Sequence, residues 1–148
     1  MRDYQLLTNQ VKSFLEGEEN LIANLANTCA LIKTSFDDWW VGFYLVERDE
    51  LVLGPFQGPV ACTRIKKAKG VCGSAFEKGQ SMVVANVHEF EGHIACSAQS
   101  NSEIVVPVLV DGKVVAILDI DSKEFDQFNE SDQKGLEGIC ELIALKWT

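Results

Sequence analysis

The 148-residue sequence predicts an α+β domain with a largely antiparallel sheet of about six strands, flanked by helices. Two helical patterns come first, a run of strand patterns with one short helix inside it follows, and a last helical pattern comes after the strands. Hairpin signals join neighbouring strands, the clearest being Asp111 and Gly112 between two β-branched runs. A doubly wound parallel sheet would need helices that alternate regularly with strands, and the sequence does not show that alternation.

Helical periodicity marks both ends of the chain and one short stretch inside it. Apolar residues recur three or four positions apart in residues 4–16 and again in residues 19–36. The last helix is predicted within residues 129–147, with Asn129 or Ser131 as its capping residue. A shorter helical pattern runs through GVCGSAFEKG, which begins at Gly70.

Strand patterns fill most of the chain between these helices. Six stretches are predicted as strands, in this order: WVGFYLVE, ELVLGPF, PVACTRIK, SMVVANV, EIVVPVLV and KVVAILDID. The charged turn ERDE joins the first two strands, and the Asp111-Gly112 turn joins the last two. A long loop within residues 87–107 separates the fourth strand from the fifth and carries two histidines and a cysteine.

Composition limits the partners of the protein. The 22 acidic and 13 basic residues give a net charge of −9, which opposes binding to nucleic acid or anionic membranes because both need clustered Lys and Arg. The N-terminal stretch shows no apolar signal core, and no run of about 18 apolar residues could span a membrane. We therefore expect a cytoplasmic protein that binds neither nucleic acid nor membranes. Five cysteines in such a chain suggest thiols, metal ligands or catalytic groups rather than a disulfide framework.

The cysteines fall into two groups. Cys29 and Cys140 lie on the apolar faces of predicted helices, so we expect them to pack in the core as small hydrophobic side chains. Cys62, Cys72 and Cys96 lie beside glycines, loops and polar residues instead. Thiols in such places can serve a redox reaction or bind a metal, or they can have no chemical role.

A zinc site is one interpretation of the thiols. It would combine His88, His93 and Cys96 with Cys62 or Cys72, and such ligands do occur in tetrahedral zinc sites. No two cysteines stand in the C-x₂-C spacing that is typical of these sites. A histidine in a loop is also more often a hydrogen-bonding group than a ligand, so the sequence disfavours zinc.

A redox interpretation needs a nucleophilic thiol, a second thiol that condenses with the sulfenic acid, and an acid near the substrate. Asp119 and Asp121 lie two positions apart on one strand and therefore share a face, while Glu103 lies on the strand before. Carboxyl groups close together in a cavity could divide the tasks of proton donor and cation ligand. Trp40 and Tyr44 could supply apolar walls. Solvated edge positions for the acids and core positions for the aromatics are equally compatible with the residues alone.

Six motifs in a fixed order carry a family resemblance: WVGFYL, LGPFQGPVACTRI, KGVCG, HIAC, SNSEIVVP and LDIDS. Together they resemble the free methionine-R-sulfoxide reductase family, which is built on a GAF domain, and the likeness runs from about Trp40 to Ser122. The resemblance implies that residues 1–148 form a single GAF domain. Two positions depart from the family pattern: Ala68 stands where glycine is expected, and Asn86 stands where an acidic residue is common.

The resemblance implies a reaction, the reduction of free L-methionine-(R)-sulfoxide to L-methionine with electrons from thioredoxin and without a metal or cofactor. Cys96 matches the nucleophile that attacks the sulfoxide sulfur, and Cys72 is the rival for that role. Cys62 matches the thiol that resolves the sulfenic acid as a disulfide. The family also implies a homodimer.

The resemblance gives the acids and aromatics a role in the substrate pocket. Glu103, Asp119 and Asp121 match positions that hold the substrate ammonium and protonate the sulfoxide oxygen, and Trp40 and Tyr44 match aromatics that enclose the S-methyl end. We further expect the loop that carries the nucleophile to close over this pocket. The competing interpretation is a non-catalytic GAF module that senses a small molecule.

Overall fold

The computed structural model describes residues 2–92 and 99–148 of the chain. In chain order the elements of this described part are α1 (Tyr4–Glu16), α2 (Leu21–Phe36), β1 (Trp40–Glu47), β2 (Glu50–Gln57), β3 (Arg64–Lys66), α3 (Gly70–Lys78), β4 (Met82–Val84), a short 3₁₀ turn (Val87–Glu89), β5 (Ser102–Val110), β6 (Lys113–Ser122) and α4 (Glu130–Leu145). The predicted order, two helices, a run of strands with a short helix inside it and a last helix, is confirmed.

All strand pairs in the six-stranded sheet are antiparallel, in the order β3-β2-β1-β6-β5-β4. Both predicted hairpin turns are present. Asp111 and Gly112 have φ values of 51° and 77°, and Arg48 and Asp49 have φ values of 52° and 63°. Positive φ at both central residues matches the right-handed twist of the flanking strands, which is why such turns join neighbouring strands closely. The α+β class and the antiparallel sheet are therefore confirmed.

One face of the sheet packs against α1, α2 and α4. Alternate residues of β1, β5 and β6 point to this side, among them Phe43, Ile104 and Leu118, and all three are fully buried. Cys29 of α2 and Cys140 of α4 belong to the same core and carry free thiols. The prediction that these two cysteines are core residues is confirmed.

The opposite face of the sheet is covered by α3 and by connecting segments. Tyr44 of β1, Val105 of β5 and Ile117 of β6 pack there against Ala75 and Phe76 of α3. This second core is smaller, and polar side chains enter it where β5 and β6 approach the N-terminus of α3. The two faces therefore differ in kind: the first is an apolar core, and the second contains a pocket.

The prediction of a strand from position 59 to position 66 is wrong over its first part. Only Arg64–Lys66 pairs with β2, while residues 58–63 form an irregular segment. Pro59 has no N–H group to donate to a ladder, and Gly58 has a φ of 142° that turns the chain out of the strand. The apolar residues of this stretch misled the prediction because they pack around the pocket and not within the sheet.

Two of the predicted helix boundaries rest on side-chain caps. The Asn129 side chain accepts a hydrogen bond from the Asp132 N–H, and the Asp132 carboxylate accepts one from the Asn129 N–H, which makes a reciprocal capping box. Asn20 caps α2 through the N–H of Ala23. None of the helices in the described part of the chain has the length and apolar character that crossing a membrane requires.

Candidate active site

The pocket lies between the sheet and the N-terminus of α3 and encloses about 590 Å³, including space that is open to solvent. Six of the eight residues predicted as site residues line it: Trp40, Tyr44, Cys72, Glu103, Asp119 and Asp121. Residues from β1, β5, β6 and α3 thus meet at one place, although up to 81 positions separate them along the chain. The arrangement joins an apolar aromatic wall to an acidic end that holds a thiol.

The three carboxyl groups come from neighbouring strands. Glu103 of β5 stands directly opposite Asp121 of β6, and Asp119 lies two residues before Asp121 on the same face. The exposed fractions of Glu103 and Asp119 are only 6% and 5%, while Asp121 is half-buried. Ser100 donates a hydrogen bond from Oγ to Asp121 Oδ1 over 3.4 Å. Three acids are therefore packed into a space that water reaches poorly.

Burial changes the protonation of these acids. Loss of solvation first, and then the charges of Asp121 and Glu103, raise the pKa of Asp119 well above its ordinary value. Loss of solvation, followed by the charge of Glu103, likewise raises the pKa of Asp121. Within the described residues, Asp119 Oδ1 is a buried oxygen without a hydrogen-bond partner. A buried acceptor left in this way is suited to a donor from a ligand.

Cys72 lies at the first turn of α3 and points at the acids. Its Sγ lies 3.6 Å from Glu103 Oε2 and donates a hydrogen bond to it. Burial first, then the charges of Asp119 and Glu103, raise the pKa of the Cys72 thiol well above its ordinary value. The thiol is free in this structure, and it is poised to remain protonated and to act as a hydrogen-bond donor.

The zinc interpretation shares only Cys72 with the group of possible ligands that the structure brings together. Cys72, Glu103 and Asp119 each place one ligand-type atom within 4.8 Å of the others, all three being buried. His88, which the zinc interpretation used, lies 2.8 Å from Asn101 Oδ1 through Nε2. The cluster therefore has one thiol and two carboxyl groups, and His88 belongs to a separate contact.

Trp40 and Tyr44 form the aromatic wall. Their ring centroids are 6.1 Å apart with an angle of 27° between the planes, and Trp40 also stacks on Phe56 at 5.3 Å. Trp40 Nε1 donates a hydrogen bond to the Pro59 carbonyl over 2.9 Å, and the Tyr44 hydroxyl donates one to the Cys62 carbonyl over 2.8 Å. Both polar ends are thus directed to the segment between β2 and β3.

The other two thiols predicted for the site are Cys62 and Cys96. Cys62 is half-buried beside the pocket and is held in a disulfide bond, whereas Cys72 carries a free thiol. Cys96 and His93 lie outside the described residues, as do all of residues 93–98, which form the middle part of the loop that we expected to close over the pocket.

The first turn of α3 adds hydrogen-bond donors that no sequence motif predicted. The Gly73 N–H bonds to the Lys69 carbonyl and the Lys69 N–H bonds to the Lys66 carbonyl. By helix geometry, the amides of Gly70, Val71 and Cys72 then have no acceptor within the helix. These three residues line the pocket, so the positive end of the helix is available to an anionic group of a ligand.

Several lining residues lie outside the sequence prediction: Trp39, Val60, Ala61, Ile65, Lys69, Gly70, Val71 and Ser100. Trp39 stands next to Trp40 in the sequence, which could have suggested that it also lines the pocket. Alternation along a strand argued against this, because it places neighbouring side chains on opposite faces. Ser100 precedes β5 and has no motif of its own. Val60 and Ala61 reach the pocket because residues 58–63 lie against Trp40 and Tyr44 of β1, which periodicity does not reveal. Ile65, Lys69, Gly70 and Val71 reach it from β3 and the start of α3.

Comparison with known proteins identifies the fold family. Residues 18–146 match the model of the GAF domain. GAF domain-containing protein A of Dictyostelium discoideum is 50% identical over 95% of this chain and 89% of its own. The free methionine-R-sulfoxide reductase of Escherichia coli is 48% identical over 92% of this chain and 83% of its own.

A solved structure shows the same arrangement of the backbone. The free methionine-R-sulfoxide reductase of Neisseria meningitidis, in complex with its substrate, superposes with a TM-score of 0.95 at 47% identity, covering 97% of this chain and 87% of that one. The predicted family is thereby confirmed. By its sequence and its fold, the chain belongs to the free methionine-R-sulfoxide reductase family of GAF domain proteins.

Proposed function

We propose that the protein reduces free L-methionine-(R)-sulfoxide to L-methionine, with Cys96 as nucleophile, Cys62 as resolving thiol and thioredoxin as the final reductant. The observation that carries the proposal is the group of buried Glu103, buried Asp119 and half-buried Asp121 at one end of a pocket that also has an aromatic wall. The names of the relatives in E. coli and N. meningitidis point to the same reaction.

The pocket suits a small zwitterion. Three buried acids cannot all be ionised without a cation beside them, and the ammonium group of a free amino acid supplies that cation together with a donor for Asp119 Oδ1. The amides of Gly70, Val71 and Cys72 offer donors to an α-carboxylate. A methionine sulfoxide inside a peptide has neither charge, so this division of the pocket favours the free amino acid.

The acids also provide the proton that the chemistry needs. Oxygen leaves a sulfoxide poorly unless it is protonated, so a neutral carboxyl group near the S=O bond accelerates the attack of a thiol. The raised pKa values of Asp119 and Asp121 favour such a neutral acid at physiological pH. Trp40 and Tyr44 then enclose the S-methyl end of the substrate against the sheet.

The reaction balances in three steps. The Cys96 thiol takes the sulfoxide oxygen to become a sulfenic acid, so that the substrate sulfur gains two electrons and the cysteine sulfur loses two. The Cys62 thiol then attacks the Cys96 sulfur, which forms an S–S bond and releases water. A thioredoxin dithiol reduces this disulfide and leaves as a disulfide itself. The disulfide bond at Cys62, beside a free thiol at Cys72, supports Cys62 as the resolving residue.

The reaction is tested with racemic free methionine sulfoxide, thioredoxin and its reductase, followed by chiral separation of the remaining substrate. We expect loss of the R isomer alone, no turnover by Cys96→Ser, and turnover by Cys72→Ser. N-acetylmethionine sulfoxide should not be consumed, because its amide nitrogen carries no charge.

Each alternative has its own result in this assay. An active Cys96→Ser with an inactive Cys72→Ser would make Cys72 the nucleophile. No turnover of either isomer by the wild-type protein, together with measurable binding of a small molecule, would favour the sensor interpretation. The homodimer, the cytoplasmic location and the single domain over residues 1–148 stay predictions.

A further inference from the structure

We infer that Trp40 and Tyr44 have a second task, to hold the segment that carries Cys62 in the position from which its sulfur forms the disulfide. They would then be positioning residues for the resolution step, in addition to enclosing the substrate. The inference rests on the proposed function, because it takes Cys62 as the resolving thiol.

Two hydrogen bonds carry this inference. Trp40 Nε1 donates to the Pro59 carbonyl over 2.9 Å, and the Tyr44 hydroxyl donates to the Cys62 carbonyl over 2.8 Å. The two accepting carbonyls lie on either side of positions 60 and 61. Both ends of residues 59–62 are therefore hydrogen-bonded to side chains of β1. Within it, Val60 is 89% exposed and contributes little packing of its own.

The Trp40 anchor is rigid. The indole stacks on Phe56 and on Tyr44, and two glycines leave room for it. A Cβ atom at Gly42 would lie 2.3 Å from Trp40 Cη2, and one at Gly58 would lie 2.5 Å from Trp40 Cδ1. Because contacts that short do not occur, the ring fits this space only while both positions lack a side chain. The donor on the ring is therefore fixed in direction as well as in place.

The Tyr44 anchor keeps its proton. Loss of solvation first, and then the charges of Asp119 and Cys72, raise the pKa of the Tyr44 phenol well above its ordinary value. The hydroxyl therefore stays a donor to the Cys62 carbonyl over the whole working range of pH.

The resolution step is sensitive to this positioning. A disulfide forms only when the two Cβ atoms come within about 3.5–4.5 Å of each other, and a misplacement of about 1 Å can slow an enclosed reaction about 100-fold. The segment from position 58 to position 63 forms neither helix nor strand, and the Thr63 carbonyl at its end accepts a hydrogen bond from the Leu53 N–H of β2 over 2.9 Å. Two side-chain anchors on the central strand β1 supply further restraint, at the wall where the substrate also binds.

Tyr44→Phe tests the inference, since it keeps the aromatic ring and removes only the hydroxyl donor. In a single turnover without reductant, we expect disulfide formation to slow by about tenfold, a larger factor than any slowing of the methionine burst, because the ring that encloses the substrate is kept. The sulfenic acid should then accumulate and be trapped by dimedone, as detected by mass spectrometry. In the steady state with thioredoxin, kcat should fall by a larger factor than KM for methionine sulfoxide rises.

Tyr4→Phe is the matched control. It also removes a phenol hydroxyl, which donates to Asp132 Oδ1 over 2.7 Å on the opposite side of the sheet. We expect lower stability but wild-type rates for both the burst and disulfide formation. A slower disulfide step in Tyr4→Phe would mean that loosening of the fold, and not the contact with Cys62, controls resolution.

Trp40→Phe gives a second, independent variant. It removes the donor to Pro59 and should slow disulfide formation in the same direction, with a higher KM because the wall is smaller. Normal resolution in both Trp40→Phe and Tyr44→Phe would overturn the inference, as would a loss of the methionine burst as large as the loss of resolution.

Cys62→Ser separates a failure of this inference from a failure of the proposed function. If Cys62 resolves the sulfenic acid, Cys62→Ser forms one burst of methionine and then accumulates the trapped adduct. If Cys62→Ser turns over like the wild-type protein, the assignment of Cys62 is wrong and the inference falls with it. If Cys62→Ser accumulates the adduct but Tyr44→Phe does not, only the positioning role is wrong.

Discussion

Glu103 of β5 faces Asp121 of β6 directly across the sheet, although both side chains are acidic and enter the same pocket. Like charges placed directly opposite each other destabilise an antiparallel pair. Asp119 adds a third acid on the same face. When these acids are ionised the arrangement weakens the fold, and in the proposed reaction it would serve to bind the ammonium group and to supply a proton.

The pH dependence of stability follows from the raised pKa values of Asp119 and Asp121. These groups hold protons more tightly when the protein is folded, so their contribution to stability is fully present below about pH 4, the pKa of an unfolded aspartate. It is lost as the pH rises through the folded-state values. Relative to wild type, Asp119→Asn should therefore gain about 1 kcal/mol or more between about pH 5 and about pH 8. Urea unfolding at both pH values measures this gain.

Glu124→Gln serves as the control for that measurement, since Glu124 is exposed and lies just beyond the end of β6. Because Glu124 lies on the surface, this variant should change the free energy of unfolding by about 0.5 kcal/mol or less at either pH. An Asp119→Asn variant whose gain is constant or larger at the lower pH would contradict the raised pKa. If the proposed function holds, the same variant should lower kcat/KM for free methionine sulfoxide, because it removes one of the acids that share the tasks of ammonium partner and proton donor.

The free thiols should react slowly with alkylating agents in the native protein. Burial raises the pKa of Cys29 to about 12 and raises that of Cys72 well above its ordinary value, and only thiolates are alkylated rapidly. After reduction of the protein, we expect half-buried Cys62 to be alkylated at least about tenfold faster than Cys72 at neutral pH. Timed iodoacetamide labelling with peptide mass spectrometry gives both rates.

Denatured protein provides the reference for this experiment, since every cysteine should then react at a similar rate. Labelling of Cys72 as fast as that of Cys62 in the native state would show a thiolate at Cys72. It would also revive Cys72 as the nucleophile. Substrate should protect Cys72 further, because it fills the pocket that Cys72 lines.

Periodicity predicted most of the fold because burial alternates regularly along these strands and helices. It also placed Asp119 and Asp121 on one face, since that follows from the repeat of two alone. It could not predict the irregular path of residues 58–63, where apolar residues face a pocket formed by distant parts of the chain. The sequence also could not show that the amides at the start of α3 and the hydroxyl of Ser100 belong to the site. Only the tertiary fold brings the amides to the pocket and Ser100 beside Asp121.

The N-terminal ion pair should contribute substantially to stability. Both terminal nitrogens of Arg2 lie 2.6 Å from the oxygens of Asp38, and the Asp38 side chain is only 3% exposed. Removing one partner leaves a buried charge uncompensated, so Arg2→Ala should lower the free energy of unfolding by about 3 kcal/mol. Arg2→Lys should lose part of this, because an ammonium group cannot form the paired contact. Urea denaturation measures both variants.

Lys134 offers a comparison on the surface. It pairs with Glu130 over 3.1 Å, and both side chains are largely exposed. Lys134→Ala should change stability by about 0.5 kcal/mol or less. Equal effects for Arg2→Ala and Lys134→Ala would show that burial adds nothing to the Arg2 pair. Since Asp38 immediately precedes Trp39 and Trp40, Arg2→Ala should also raise KM if the pair helps to place the pocket wall.

Ala68 is strained by its backbone conformation. Its φ of 67° lies in the left-handed region, which costs a residue with a Cβ atom about 1–2 kcal/mol relative to glycine. The Ala68 N–H donates to the Gly73 carbonyl over 2.9 Å, and a Cβ atom at Gly73 would approach the Lys66 carbonyl at 2.5 Å. The turn that leads into α3 is thus tightly fixed, and Ala68 must adopt this conformation. The glycine that the family resemblance led us to expect here fits the geometry better.

Ala68→Gly should therefore raise the free energy of unfolding by about 1 kcal/mol, because relief of the strain exceeds the added entropy of the unfolded chain. Ala30→Gly in the middle of α2 is the opposite case and should lower it by about 1 kcal/mol, since α2 has ordinary helical geometry there. Thermal and urea unfolding of the two variants under one set of conditions compares them directly. If both glycine variants are less stable than the wild type, the entropy that glycine adds to the unfolded chain outweighs the strain that it relieves at position 68. The left-handed conformation of Ala68 would then cost the folded state little free energy.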